Sequence, residues 1–296
     1  MQQSGAVCEF TNSDSWVILS PIEQSIKRKI ESVGTPLKDW DINIYRGVLT
    51  GYNEAFIIST EKREEILANC QSEDERERTA ELIRPILRGR DIKRYGYNWA
   101  GLYLIATFPS RHYDIEQYPA VKEYLLSFGI ERLEQTGKEH NVNGEKIKAR
   151  KKTSNKWFET QDSISYWEDF SKPKIVFQEI VQESQFFYDM DGRFICNDTC
   201  RIIVGKELSF LLGVLNSKLF FYAIKHFYGG GVLGEHGIRM KHTFFQNFPC
   251  IQYNSTIDKL VKELTEKKNA KVENQIENKI YNLYGLTPQE IQMVEE

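Results

Sequence analysis

Apolar residues recur every three to four positions in several parts of the chain, which is the spacing of one face of a helix. Ile22, Ile26 and Ile30 follow this spacing early in the chain. The capping-box sequence Ser20–Glu23 begins this segment, and Gly34 supplies a stop signal. The predicted helices are the segment between Ser20 and Gly34, Thr60–Ile83, Tyr118–Phe128, Ile130–Thr136, Leu208–Phe227, Ile257–Tyr284 as one helix or two, and a last short helix capped by Thr287.

Other apolar runs are short, alternating or rich in β-branched and aromatic residues, and these predict strands. The predicted strands are Ser15–Ser20, a strand in which Ile42, Ile44 and Arg46 alternate, Ala55–Ser59, Leu102–Phe108, Lys174–Val181, Phe186–Tyr188, Arg193–Cys196 and Arg201–Val204. We therefore expect an α+β fold of mixed β-sheets with packed helices. Its predicted parts are an N-terminal lobe over residues 1–137, a β-rich lobe with a long central helix over 138–253, and a helical C-terminal tail over 254–296.

Glycines mark two turns between these strands. Gly47 and Gly51 bracket a loop that carries Thr50, Tyr52 and Asn53. The glycines indicate either a plain hairpin or a close approach of the backbone to a ligand. Asp191–Gly192 is a hairpin signal between two later strands.

The composition is that of a soluble globular protein, with 41% hydrophobic and 27% charged residues. No apolar run approaches the roughly 20 residues of a membrane span, and the polar start M-Q-Q-S-G is not a signal peptide. We expect this start to be a boundary within a longer protein. Five scattered cysteines, of which only Cys196 and Cys200 are close, indicate reduced thiols in a cytoplasmic protein and no zinc site.

The net charge of −3 excludes a protein that is basic on all sides, but it allows one basic face. The segment Arg84–Trp99 holds five basic residues against the single acid Asp91, followed closely by the rings of Tyr95, Tyr97 and Trp99. Guanidinium groups beside flat rings suit phosphates and guanine edges. The alternative is a solvated loop whose arginines pair with the acidic helix upstream.

Two further stretches are basic and rich in glycine. Lys138–Lys156 holds seven lysines and arginines against two acids and has no hydrophobic period, so we predict a mobile loop there. Gly234–His242 is a shorter segment of the same kind. Either stretch can be a solvated loop or a DNA contact.

Catalytic motifs are missing from the sequence. Gly229–Gly234 matches G-x-G-x-x-G, but it follows a predicted helix and opens none, so the dinucleotide-binding context fails. The five histidines form no metal-binding pattern, no serine lies in G-x-S-x-G, and no Asn-Pro-Pro-Tyr loop is present. Asp91-Ile92-Lys93, with Asp74 upstream, has the D-x-K spacing of metal-dependent nucleases. We predict neither a catalytic residue nor a metal ligand in this chain.

Six segments together resemble the TaqI-like C-terminal specificity domain of type IIG restriction-modification enzymes. They are Ile44–Ile58, Ile83–Tyr97, Lys172–Ile180, Asp191–Cys200, Leu211–Tyr222 and Tyr281–Glu290, in that order. The resemblance implies a domain that reads double-stranded DNA and follows an adenine-N6 methyltransferase domain. It implies that S-adenosylmethionine and Mg²⁺ act in the domains missing here, and that those domains are the protein partners. Individual base-reading residues do not carry over, because they differ with the recognised sequence.

On this reading we assign DNA contacts by charge and by predicted stiffness. The predicted phosphate contacts are Arg90, Lys93, Arg94, Arg150, Lys151, Lys152 and Lys241, and the predicted base contacts are Thr50, Tyr52, Asn53, Lys156, Gln178, Arg239 and one or more of the Arg90–Arg94 cluster. Arg84 and Arg88 are expected to be partly structural. Two alternatives remain: a nuclease centred on Asp91 and Lys93, and a protein-interaction module that uses the helices of Ile257–Tyr284.

Overall fold

The computed structural model describes residues 19–229, 232–233 and 237–296. The helices are α1 Pro21–Val33, α2 Asn53–Phe56, α3 Thr60–Ala68, α4 Glu73–Leu82, α5 Pro119–Leu126, α6 Ile130–Leu133, α7 Leu208–Leu215, α8 Lys218–Ala223, α9 His242–Phe245, α10 Ser255–Glu266, α11 Ala270–Leu283 and α12 Pro288–Glu295. The strands are β1 Thr35–Pro36, β2 Ile42–Arg46, β3 Ile57–Ser59, β4 Ile83–Leu87, β5 Ile92–Lys93, β6 Gly96–Tyr97, β7 Leu102–Ile105, β8 Glu139–Val142, β9 Glu145–Lys148, β10 Lys174–Gln178, β11 Ile180–Val181, β12 Phe186–Asp189, β13 Ile195–Cys196, β14 Cys200–Gly205, β15 Val232–Leu233, β16 Gly237–Arg239 and β17 Pro249–Cys250. The α+β expectation is confirmed.

An antiparallel sheet of four strands, in the order β12-β10-β14-β2, lies between two hydrophobic cores. Successive residues of a strand point to opposite faces. Ile175 and Ile203 are register partners and belong to the first core, whereas Val176 and Ile202, the next pair, belong to the second. Neighbouring residues of one strand thus serve both cores. The expected division at residue 137 does not separate these cores, and the division into lobes stays a prediction.

The first core is formed by that sheet, α1 and the C-terminal helices. Every residue of α7 is buried. The apolar faces of α10 and α11, including Ile257, Val261, Ile276 and Ile280, are buried there as well. The apolar surface on which the protein-interaction alternative depended is therefore already covered within this protein.

The second core lies under a sheet with the strand order β13-β4-β7-β3 and its flanking helices. β3 and β4 pair antiparallel with β7, while β13 pairs parallel with β4, placing Ile195 opposite Ile86. The basic segment therefore begins inside a sheet, because β4 covers Ile83–Leu87. No single helix among the described residues has the length and apolar content of a membrane span. Only when α7 and the segment Lys218–Tyr228 are taken together, with a bend of 64° between them, do the described residues have that length and apolar content.

The helix predicted over Leu208–Phe227 is broken, which corrects the sequence reading. Asn216 leaves the helix because its side-chain amide accepts from the backbone N–H of Phe186 at 2.9 Å and donates to the Phe186 carbonyl at 2.9 Å. Ser217 then caps α8 by accepting from Phe220 N–H. The segment Ile224–Tyr228 continues α8 as a π-helical turn.

The stretch Lys138–Lys156 is not a mobile loop, and that prediction is wrong. β8 and β9 form a hairpin in which Val142 pairs with Glu145. The intervening Asn143 and Gly144 have φ angles of 53° and 87°, the left-handed pair that a tight hairpin turn requires. An Asn-Gly turn is a recognisable sequence signal, and the high charge of the flanking strands obscured it.

The plain-hairpin alternative for Gly47–Gly51 and the hairpin predicted at Asp191–Gly192 are both wrong. β2 pairs with β14 whereas β3 pairs with β7, so the Gly47–Gly51 loop connects two sheets. β12 and β13 likewise lie in different sheets. Gly192 between them has φ +62°, and an added Cβ would lie 2.2 Å from the Ser171 carbonyl oxygen. Glycine is needed at this position because the Ser171 backbone lies so close, and not because the chain makes a hairpin turn.

The capped helices are confirmed at both ends of the chain. Capping boxes begin α1 at Ser20 and α12 at Thr287. Ile257–Tyr284 is two helices, and Thr60–Ile83 is two helices followed by a strand. The strand predicted at Ser15–Ser20 falls largely outside the described residues, as do most of Gly229–Gly234 and the first part of Gly234–His242.

Candidate nucleic-acid interface

Loops from distant parts of the chain meet at one end of the central sheet, where β2 and β10 end and β14 begins. Main-chain hydrogen bonds tie them together: Gly47 N–H donates to Cys200 O at 2.9 Å, Asn197 N–H to Leu87 O at 3.0 Å, and Gln161 N–H to Leu49 O at 3.1 Å. We call this surface the rim; it comprises residues 46–54, 87–91, 150–162, 178–181, 197–201 and 239–242.

Glycines let these loops approach one another closely. A Cβ at Gly47 would lie 1.8 Å from the Asn197 carbonyl oxygen. A Cβ at Gly89 would lie 2.8 Å from Gln178 Cγ, and Gly89 N–H donates to Thr199 Oγ1 at 3.1 Å. Glycine at position 47 is therefore required by the neighbouring backbone, whereas a Cβ at position 89 would have to displace the Gln178 side chain.

Two rim arginines were missed as site residues by sequence reasoning. Arg46 ends β2 and Arg201 begins β14, and the two are register partners on neighbouring strands. Like charges directly opposite each other destabilise a sheet pair. One carboxylate partly offsets this repulsion, because Glu179 accepts from Arg201 at 3.1 Å and from Arg239 at 3.0 Å. The two residues are 155 positions apart, so no local sequence pattern could have paired them.

Several predicted DNA contacts lie on the rim and are accessible. Arg90 is exposed on the single turn Gly89–Asp91, and Gln178 is half-buried against that turn. Arg239 is exposed and held by Glu179. Lys241 follows two residues later, with its ammonium 5.7 Å from the centre of the exposed Phe244 ring. The structure thus brings together residues from three separate predicted segments.

The Thr50–Asn53 loop forms another part of the rim. Thr50 is buried, and its hydroxyl donates to Asn53 Oδ1 at 2.7 Å and accepts from Tyr52 N–H. The Tyr52 hydroxyl accepts from Arg132 at 3.2 Å, and the Arg132 guanidinium also lies 5.5 Å from the ring centre. Thr50 thus shapes the loop from inside and cannot read a base edge, which corrects its assignment. Asn53 is exposed and Tyr52 is half-exposed, and both remain predicted contacts.

Arg150 was predicted to contact phosphate, and the structure contradicts this. The side chain is buried and donates to four carbonyl oxygens: Leu133 at 2.8 Å, Thr50 at 2.8 Å, Glu159 at 2.8 Å and Trp157 at 2.6 Å. Burial lowers the pKa of this arginine to about 10, with Glu159 opposing the shift. Arg150 fastens the segment after the hairpin to the rim, and four of its five N–H donors are already engaged there.

The neighbouring lysines Lys151, Lys152 and Lys156 are exposed, as a phosphate or base contact requires. The Lys156 ammonium lies 5.5 Å from the centre of the Phe158 ring, which gives this side chain an anchor. These three assignments remain predictions.

Arg94 was also predicted to contact DNA, and it does not face the rim. It donates to Glu273 at 2.5 Å and to Glu277 at 2.7 Å, both on α11. Burial opposes the charge of Arg94, but Tyr95 and the two glutamates outweigh it and raise its pKa. Arg94 is therefore the ion-paired link between the basic segment and the C-terminal helices. The ammonium of Lys93 donates to the Arg90 carbonyl at 2.9 Å and is half-buried.

The nuclease alternative fails on the geometry of Asp91. Its carboxylate is buried and accepts from Arg88 N–H, Nε and Nη2 at 2.9, 3.0 and 2.8 Å. Burial opposes its ionisation, but these hydrogen bonds outweigh burial and lower the pKa of Asp91. The carboxylate is already neutralised by an arginine, and Lys93 points to a carbonyl. Nowhere in the described part of the chain do three His, Cys, Asp or Glu side chains group as a metal site.

Comparisons with known proteins agree with this architecture. The family model described as TaqI-like C-terminal specificity domain matches residues 84–231, which is half of the chain. The chain is similar in structure to the type IIG restriction endonuclease BpuSI, with a TM-score of 0.54, 14% sequence identity, and coverage of 93% of this chain and 31% of BpuSI. It is also similar to the type IIL restriction-modification enzyme MmeI, solved in complex with DNA, with a TM-score of 0.55, 14% identity, and coverage of 88% of this chain and 35% of MmeI.

At this level of identity the two structures establish a shared fold, and this chain spans about a third of the length of either enzyme. The family match extends from the basic segment, through the rim strands β10 and β14, to the end of α8 and beyond, while the third rim strand, β2, precedes it. The chain therefore belongs to the family of TaqI-like C-terminal specificity domains, which recognise the DNA target of restriction-modification enzymes.

Proposed function

We propose that the rim binds duplex DNA and reads a specific sequence for a type IIG restriction-modification enzyme. The observation that carries this proposal is the convergence of exposed cations from separate loops on one surface whose backbones are mutually hydrogen-bonded. A rigid mount is what a base contact needs, because a misplaced donor loses its hydrogen bond. Cations on the same surface neutralise phosphates and set the register of the protein on the duplex.

We assign base reading to Arg90, Gln178 and Arg239. Arg90 lies on a turn held by Gly89 and Thr199, and Gln178 packs against the same turn. The ion pair of Arg239 Nε with Glu179 orients the guanidinium, whose remaining N–H groups suit the two acceptors of a guanine. Lys151, Lys152 and Lys241 are flexible point charges and are assigned to phosphates.

Catalysis belongs to other domains in this proposal. The sequence has no Asn-Pro-Pro-Tyr motif, and the chain matches only part of the length of the similar enzymes. S-adenosylmethionine and Mg²⁺ would act in a cytoplasmic enzyme's methyltransferase and nuclease domains, with the rim presenting the target adenine. Incubated with labelled S-adenosylmethionine and DNA, this chain alone should transfer no methyl group.

The test is duplex binding by the chain and its variants over a range of salt concentrations. Affinity should fall steeply with salt, because each neutralised phosphate releases about 0.9 counterions. Arg90→Ala or Arg239→Ala should each cost roughly 1–3 kcal/mol on the preferred sequence and relax the preference at one base pair. Arg28→Ala, an exposed arginine on α1 away from the rim, is the matched control and should change neither property.

A flat salt dependence would remove phosphate contacts from the proposal. If Arg90→Ala and Arg239→Ala lower binding to all duplexes equally, these side chains position the DNA and the reading residues lie elsewhere. If Arg28→Ala weakens duplex binding as strongly as the rim variants do, the DNA binds to another surface.

A further inference from the structure

A cleft of about 470 Å³ opens at the opposite ends of the strands that form the rim. β4 begins at the cleft with Ile83 and Arg84 and reaches the rim after Leu87. Similarly, Ser171 lines the cleft just before β10, whereas Gln178 at the end of β10 lies on the rim. The cleft is therefore separate from the proposed DNA-reading surface, and its volume is in the range of small-molecule sites.

Arginines dominate the charge of this cleft. Arg63, Arg78, Arg84 and Arg111 line it, against Glu81 in the lining and Glu64, whose carboxylate pairs with Arg63 at 2.7 Å. Arg84 donates to Ser171 Oγ at 2.8 Å and to the Gly192 carbonyl at 3.1 Å, so neutral groups hold it. The Nε–H of Arg63 is buried and has no acceptor among the described residues. Such a surplus of guanidinium donors fits an anion, above all a phosphate.

Aromatic rings line the same cleft and hold two of these arginines in place. The Arg111 guanidinium lies over the Trp167 ring, 3.9 Å from its centre, and 5.4 Å from the centre of the Tyr113 ring. The Arg63 guanidinium lies 4.8 Å from the centre of the Tyr103 ring. A stacked guanidinium keeps its N–H edge free for a phosphate and offers its second face to another flat group.

We propose that this cleft binds a nucleotide, with the phosphate on the arginine edges and the base stacked among the rings and guanidinium planes. The ligand chemistry is a planar base joined to a phosphate. It comes either from a free mononucleotide or from one nucleotide of a DNA single strand. This proposal does not depend on the rim, because the two surfaces share no residue.

The experiment measures binding of four probes to the chain by calorimetry: deoxyadenosine monophosphate, adenosine, inorganic phosphate and a short single-stranded oligodeoxynucleotide. The nucleotide should bind with a stoichiometry of one. Adenosine and phosphate should each bind at least about tenfold more weakly, because adenosine lacks the phosphate contacts and inorganic phosphate lacks the stacking of the base. Preference for the oligodeoxynucleotide over the mononucleotide assigns the site to a DNA strand, and the reverse assigns it to a free nucleotide.

Variants then locate the site. Arg111→Gln should weaken nucleotide binding roughly tenfold or more, since it removes a charge-assisted donor and a stacking plane. Arg78→Gln on α4 should weaken it by a smaller factor. Arg76→Gln is the matched control: Arg76 lies two residues earlier on the same helix, pairs with Glu73 and does not line the cleft. All three arginines are exposed, so folding should be unaffected.

Two results overturn the proposal. One is the absence of saturable binding for both the mononucleotide and the oligodeoxynucleotide. The other is nucleotide binding that Arg111→Gln and Arg78→Gln leave unchanged. Duplex binding measured in parallel keeps the two proposals separate, because cleft variants should retain it and Arg90→Ala should retain nucleotide binding.

Discussion

The acceptors around an arginine decide its role in this molecule. Arg90 is exposed on the rim, Arg94 is paired with two glutamates of α11, and Arg150 donates to four main-chain carbonyls. All three lie in basic stretches that suggest DNA contact. The acceptors of Arg94 are about 180 residues away in sequence, and those of Arg150 are main-chain atoms. Neither can be read from the local sequence, which explains why two of these assignments failed.

Adjacent basic residues should therefore respond differently to the same substitution. Arg150→Met removes four hydrogen bonds to main-chain carbonyls and should lower the free energy of unfolding by about 3 kcal/mol or more. Lys151→Met and Lys152→Met, at exposed positions, should change it by less than about 0.5 kcal/mol. Urea denaturation measures all three.

The same lysine variants should weaken duplex binding, and together they should reduce the salt slope by up to about two units. Equal destabilisation by Arg150→Met and Lys152→Met would contradict the anchoring role of Arg150. Unchanged DNA affinity in the double lysine variant would remove these lysines from the interface.

At the scale of elements, the last helix is held on the first by one carboxylate. Glu290 of α12 accepts from Lys29 Nζ at 2.6 Å, from Ser25 Oγ at 2.8 Å and from Thr287 N–H at 2.6 Å. Burial opposes ionisation of Glu290, but these hydrogen bonds outweigh it and lower its pKa to about 2. Glu290 is at once the N3 residue of a capping box and the contact between α12 and α1.

This contact predicts a pH dependence of stability. A depressed folded-state pKa stabilises the protein above the unfolded value near 4.5, and the contribution disappears as the pH falls towards about 2. Glu290→Gln should therefore lower the free energy of unfolding by about 2 kcal/mol at pH 7, with a smaller difference at pH 3. Glu263→Gln, exposed on α10, is the control. If the loss of unfolding free energy in Glu290→Gln is as large at pH 3 as at pH 7, the effect belongs to the helix cap alone.

Local rules explain which elements the sequence predicted. Caps at Ser20 and Thr287 and the buried strand at Leu102 act through neighbouring residues, and all were predicted. The break at Asn216 depends on the backbone of Phe186 in another element, so helix periodicity could not reveal it. Pairing of strands is equally non-local, and both predicted hairpins failed for that reason.

At the scale of the molecule, one sheet serves two cores. Ile175 faces the core of the C-terminal helices, and Val176, the next residue, faces the core under β4 and β7. Unfolding either core removes one covered face of the same sheet. The family could be inferred from the order of the motifs, whereas the position of the rim required the pairing of β2 with β14.

This arrangement predicts a single unfolding transition. Ile175→Ala and Val176→Ala should each lower stability by about 2–4 kcal/mol, and both should shift the same transition. The unfolding curves measured by circular dichroism and by tryptophan fluorescence should coincide. The fluorescence reports on both cores, because Trp40 packs on the first and Trp157 and Trp167 pack on the second. Two transitions, with each variant shifting only one, would instead support lobes that unfold independently.

The backbone ties of the rim have a consequence for redesign. Hydrogen bonds such as those from Gly47 to Cys200 and from Asn197 to Leu87 join peptide groups, and peptide groups are the same whatever side chains they carry. The scaffold is therefore indifferent to exchange at outward positions such as Arg90 and Arg239, so a library randomised there keeps the fold while varying the surface offered to a base pair. Gly47 must be left out of such a library, because a single added carbon there collides with the Asn197 backbone, and Gly89 should be kept as well, because an added carbon there would displace the Gln178 side chain.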